Sequence, residues 1–152
     1  MSRTINKIIL HCADTPDGRE THASDIDRWH KERGWRCIGY HFVVCLDGSI
    51  EPGRPVDEVG AHCYGQNQHS IGICLVGCDQ FTQAQWDALH QLLADLGLSY
   101  PDATVHGHRE FSSKTCPNFD VSAWLTEPVR VEQLHLLADT HPAKSRAAGA
   151  VV

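Results

Sequence analysis

Residues 70–78 read SIGICLVGC, a run without a single charged side chain and with β-branched residues at Ile71, Ile73 and Val76. A membrane-spanning helix needs about 20 apolar residues, so this run is too short to cross a bilayer. It is also too uniformly apolar for a strand with one wet face. The pattern predicts a strand at the centre of a sheet. Cys74 and Cys78 lie four residues apart in this run. Along a strand that spacing is roughly 13 Å, too far for two thiolates to share one ion. Both are expected to be buried, reduced and inert.

The flanking segments supply the rest of an α/β chain with a mixed central β-sheet flanked by helices. Ile5 to Cys12 (INKIILHC) reads as a buried first strand, closed by the turn-rich ADTPDG. SDIDRWHKERG reads as a helix, with Ser24 and Asp27 as its capping box and Gly34 as its stop. YHFVVCLDGSIEPGR predicts a hairpin turning at Asp47-Gly48. Its first arm alternates Tyr40, Phe42 and Val44 against His41, Val43 and Cys45. TQAQWDALHQLLADLG is a second helix, with Thr82 as cap, Gln85 closing the box and Gly97 as the end. Trp86, Leu89, Leu93 and Leu96 form its apolar stripe. His90 falls near that stripe and reads as a packing or surface group. ATVHGH is a short last strand, and DVSAWL and EPVRVEQLHLLADT are short terminal helices. Strand order is not legible in this pattern.

Length and charge bound the function classes. A chain of 152 residues is enough for one domain with a real core. A net charge of −6 makes nucleic acid and anionic membrane surfaces poor partners for the chain as a whole. No run is apolar enough for membrane insertion, and MSRTINKIILHCADT lacks the pattern of a signal peptide. The seven cysteines are odd in number, which argues against a disulfide framework. Cys12, Cys37, Cys45 and Cys63 are accordingly expected to pack as small hydrophobes.

The eleven histidines are the less ordinary feature. HGHREFSSKTCP, residues 106–117, loses all periodicity after its first residues. A catalytic zinc site needs three protein ligands and one open position. His11 at the end of the first strand, a histidine at the end of the last strand, and Cys116 in the following loop have that chemistry. Two neutral imidazoles and one thiolate leave a zinc ion a net charge of about +1. His106 and His108 share one face of a strand, and spacing does not choose between them.

ILHCADT, WHKERGW, IGYHFVVCLDGSIEPGRP, GAHCYGQNQHSIGICLVG and GHREFSSKTCPNFDV occur in this order. Together they resemble the N-acetylmuramoyl-L-alanine amidases of the type-2 amidase and peptidoglycan-recognition-protein superfamily, and among these most resemble the phage lysozyme-type amidases. The resemblance covers roughly residues 5 to 125. It implies an amidase/peptidoglycan-recognition-protein-like fold, with a zinc amidase domain over residues 1–126. Residues 127–152 lie beyond the resemblance and read from their own pattern as a helical extension and, after His141, a frayed tail. The resemblance implies one Zn²⁺ per chain on His11, His108 and Cys116, with Tyr40 and Lys114 catalytic. His62 and Asn67 are implied as substrate contacts, and Ser70 lies in the same segment. The implied substrate is peptidoglycan, cut at the amide between N-acetylmuramic acid and L-alanine.

The resemblance further implies a monomeric endolysin, made in the host cytoplasm and reaching the cell wall after release by a holin. Some phage relatives also bind and inhibit a phage RNA polymerase, which makes a polymerase a second expected partner. Two rival activities are disfavoured by particular residues. Relatives that only bind peptidoglycan typically lack the cysteine ligand, which Cys116 supplies here. Relatives that recycle anhydromuropeptides tend to carry glutamate where this chain has Tyr40.

Overall fold

The computed structural model describes residues 3–138. The expected fraying after His141 lies outside the described residues. Five strands form one sheet, in the order β3-β2-β4-β1-β5. They are β1 (Lys7–Cys12), β2 (Phe42–Val44), β3 (Ile50–Pro52), β4 (Ser70–Leu75) and β5 (Thr104–Gly107). Only β3 runs antiparallel, through the hairpin at Gly48, whose φ is +87°. The apolar run at 70–75 is the middle strand, buried at every residue. It pairs in parallel with β1 on one side and β2 on the other.

Alternation along these strands divides two cores. Ile8, Leu10, Cys12, Val44, Ile71, Ile73 and Leu75 face α2 (Gln83–Ser99), α3 (Val121–Thr126) and α4 (Pro128–Leu134). Val43, Cys45, Cys74 and Val76 face Ile26 of α1 (Ala23–Glu32) and Ile38 in the segment beyond it. His11 lies between Leu10 and Cys12 on β1, so its side chain falls on the α1 side. Cys12, Cys45, Cys63 and Cys74 are buried, whereas Cys37 and Cys78 are only half-buried.

Four local expectations need correction. First, the N-cap of α1 is His22, whose backbone N–H donates to Asp25 Oδ2 at 2.9 Å. Ser24 and Asp27 do not form the box. Asp27 instead accepts the Ile38 N–H at 2.8 Å and pairs with Lys31. Second, α2 runs through Gly97 to Ser99. Third, its buried stripe takes Leu92 where the sequence suggested Leu93, which is only partly buried. Fourth, β2 is shorter than the alternating pattern. The backbone bends at Gly39 and His41, and Tyr40 packs with Val43 and Cys45 instead of Phe42 and Val44. That bend turns the tyrosine toward the α1 face.

Candidate active site

β1 delivers His11 into a nearly closed environment, 1% exposed. The end of β5 passes directly into a 3-10 turn (His108–Glu110), and the chain then loops back through Lys114 to Cys116. His108 thus opens the turn instead of ending the strand. One donor atom from each of His11, His108 and Cys116 lies within 4.8 Å of the other two. The rings of His11 and His108 are 4.5 Å apart, and Cys116 Sγ is 3.9 Å from His11 Nδ1. His106 is occupied elsewhere. Its Nδ1 meets Glu110 at 2.8 Å and its Nε2 meets Thr104 Oγ1 at 2.7 Å. The fold therefore separates two histidines that spacing leaves equal.

The electrostatics suit a cation. Burial, then the neighbours His62, His108 and Lys114, push His11 well below the usual imidazole range. Burial and Lys114 lower His108 as well. Both are therefore neutral and keep a lone pair for a ligand. Cys116 is lowered by the hydrogen bond from the Cys12 thiol, against the effect of its own burial. The Cys12 backbone N–H also donates to its sulfur, at 3.3 Å. Cys12 itself is held firmly as the thiol. Two neutral imidazoles and one sulfur biased toward thiolate make a donor set that fits Zn²⁺.

His62 and Asn67, implied as substrate contacts, line a cavity together with His108 and Lys114. The His62 ring is buried and sits 2.9 Å from His11, Nδ1 to Nε2. Its own Nε2 lies 3.2 Å from Ser70 Oγ. The series is consistent when His11 donates from Nε2, His62 donates from Nε2, and His11 Nδ1 is left free toward Cys116. Gly72 makes room for this ring, because a Cβ there would sit 2.5 Å from His62 Cγ. Burial pushes His62 down to about 3, so it too stays neutral. Asn67 Oδ1 accepts the backbone N–H groups of His62 and Cys63 at 2.9 and 3.0 Å. Its acceptor thus holds the turn that presents His62.

A cleft of about 540 Å³ is lined by two of the three donors, His108 and Cys116, together with Tyr40 and Lys114. Trp29 and His30 of α1, with Arg33 at its C-cap, also line it. The Tyr40 ring is 5.0 Å from that of His11. Burial raises its phenol well above the ordinary tyrosine range, so it stays protonated and can donate. His30 Nδ1 accepts the Gly39 N–H at 3.0 Å, which ties α1 to the bend before Tyr40. The α1 wall was missed in the sequence. WHKERGW marks a helix, but nothing in it says which face meets a cleft.

The chain is similar to known proteins over most of its length. The family model described as N-acetylmuramoyl-L-alanine amidase matches residues 1–119. The endolysin of Klebsiella phage KP32 is 39% identical over 127 residues, covering 78% of this chain and 84% of that protein. The endolysin of Escherichia phage T7 is 40% identical over 125 residues, covering 77% and 83%. Among solved structures, the N-acetylmuramoyl-L-alanine amidase LysC from Clostridium intestinale URNW aligns with a TM-score of 0.75 at 30% identity, covering 85% of this chain and 87% of that one. A Drosophila PGRP-LB mutant in complex with tracheal cytotoxin aligns at 0.70 and 28% identity, covering 77% of each chain. The matched residues run from before β1 to beyond the Cys116 loop and so include the residues lining the cleft: the chain belongs to the N-acetylmuramoyl-L-alanine amidase family.

Proposed function

We propose that this chain is a zinc-dependent endolysin that hydrolyses the amide between N-acetylmuramic acid and L-alanine in peptidoglycan. The observation that carries the reading is the convergence of His11, His108 and Cys116 beneath a cleft that also holds Tyr40 and Lys114. The naming of the phage relatives as endolysins, matched over most of their length, supports the biological setting. In that setting the enzyme reaches the wall after release by a holin.

An amide resists water because the nucleophile is weak and the tetrahedral oxyanion is costly. Zinc, when held by His11, His108 and Cys116, supplies Lewis acidity that lowers the pKa of a water and polarises a carbonyl oxygen. The remaining work falls to the chain. Lys114 brings a cation to the rim of the cleft, where negative charge develops on the scissile carbonyl. The Tyr40 phenol donates a hydrogen bond to the attacking or developing oxygen, because burial denies it the phenolate form. His62 fixes the tautomer and ring angle of His11 through their 2.9 Å contact. The Trp29 and His30 wall positions the glycopeptide and excludes bulk water from the reacting amide.

Mass spectrometry of purified peptidoglycan after digestion tests the reading. Expected products are stem peptides with a free L-alanine amino terminus. Their release should stop with a chelator and return with added zinc. Products cleaved at a glycosidic or peptide cross-link position would overturn the assignment, as would release indifferent to chelation.

A further inference from the structure

A second group of metal-ligating side chains lies outside the cleft, where α1 begins. His22, Cys45 and Glu51 each offer one donor atom, and these lie within 4.8 Å of one another. They come from three places in the fold: the cap of α1, the residue just past β2, and the middle of β3. We propose that His22 Nδ1, Cys45 Sγ and a Glu51 carboxylate oxygen form a second zinc site, with water as fourth ligand, that clamps the start of α1 to the β2–β3 hairpin.

The geometry is close to what the ion needs. Zinc bonds of about 2.0–2.3 Å in a tetrahedron put donor atoms ~3.2–3.8 Å apart. His22 Nδ1 is 3.9 Å from Cys45 Sγ and 2.9 Å from Glu51 Oε2. Adjustments of under about 1 Å bring them to ligand spacing. The mixed nitrogen, sulfur and oxygen set selects zinc over the hard cations calcium and magnesium, which take oxygen alone. Water completes the tetrahedron on the exposed side of His22.

The outer contacts are those of a built site. The other ring nitrogen of His22, Nε2, meets Glu20 Oε2 at 2.8 Å, the carboxylate–histidine arrangement that orients a ligand imidazole. Glu51 Oε1 accepts the Ala23 N–H at 2.7 Å, so the ligand carboxylate is itself held. Cys45 is buried beneath the pair. An ion pair between His22 and its two carboxylates accounts for the imidazole and the glutamates, and the Cys45 thiol joins it only through sulfur hydrogen bonding to His22 and Glu51.

One thiolate and one carboxylate balance the charge of a Zn²⁺ held with a neutral imidazole. The far end of α1 carries Trp29 and His30 into the cleft, so the clamp stiffens one wall of the active site.

Titration of the metal-free full chain with cobalt(II), read by absorption, tests this independently of catalysis. Cobalt bound by a thiolate gives a near-ultraviolet charge-transfer band. The wild-type chain should bind two equivalents. Cys116→Ser should bind one and retain a thiolate band, now owing to Cys45. His22→Asn, which keeps a good helix cap, should fall from two equivalents to one. Adding Cys116→Ser to His22→Asn should abolish the band. A wild-type chain that binds one equivalent, with the band lost in Cys116→Ser and intact in His22→Asn, overturns the second site and leaves the catalytic reading standing. One equivalent lost in His22→Asn but kept in Cys116→Ser does the reverse.

Discussion

Lys114 and Cys116 stand two residues apart and should fail differently when replaced. Cys116→Ala removes one of three ligands, so bound zinc and amidase activity should disappear together, measured by metal analysis beside a digestion assay. Lys114→Ala should keep the metal and lower the rate by about 10²–10³, as expected for one lost donor to an oxyanion. Unchanged turnover in Lys114→Ala would remove the lysine from the mechanism. The sequence was legible here to different depths. His11, His108 and Cys116 were readable as donor types, yet only the motif order distinguished His108 from His106. The structure supplies the physical reason, which is that Thr104 and Glu110 occupy both ring nitrogens of His106. Tyr40 and Lys114 carried no signal outside the family resemblance. The contact of His62 with His11 was invisible, because it depends on the space that Gly72 leaves on a strand distant in sequence.

Helix α2 shows how one element can be locked to the sheet by its first turn. Gln85 accepts the Thr82 N–H through Oε1 at 2.9 Å, while its Nε2 donates to the carbonyls of Val44 and Val76. Thr82 in turn donates to the Leu46 carbonyl. Gln85→Ala breaks the capping box and strands the buried Val76 carbonyl, while the Val44 carbonyl keeps the Val76 N–H. It should destabilise the fold by about 2–4 kcal/mol in chemical denaturation. A loss below about 0.5 kcal/mol would show that water replaces the amide, since solvent-accessible substitutions fall in that range. The capping box of α2 was readable because Thr82 and Gln85 are local in sequence. That of α1 was misread because its cap is a histidine and Glu51, from the hairpin, accepts the first free N–H. Long-range partners of this kind leave no periodic trace.

At the scale of the whole molecule, buried histidines set the acid response. Burial pushes His30 and His41 down to about 4. The unfolded chain takes up these protons near pH 6.5, before the folded chain does. Their contribution is therefore full above about pH 6.5 and is lost as pH falls toward 4, each tenfold difference in proton affinity being worth about 1.4 kcal/mol. His22, raised to about 9, acts in the opposite sense, stabilising below pH 6.5 and losing that contribution as pH rises toward 9. Urea unfolding midpoints should drop between pH 7 and pH 4.5, with a shallower drop in His30→Gln. An equal midpoint at the two pH values would contradict the buried neutral state. The broad α/β class and the centrality of β4 could be read from hydropathy, whereas the order β3-β2-β4-β1-β5 could not, since it joins segments far apart in the chain. That order also governs how the polypeptide emerges during synthesis. The first strand has its neighbours at residues 70–75 and 104–107, so Ile8, Ile9 and Leu10 wait unpaired on one side until β4 is made and on the other until β5 is made. Synthesis of these later strands, more than early nucleation at β1, is what lets the sheet close.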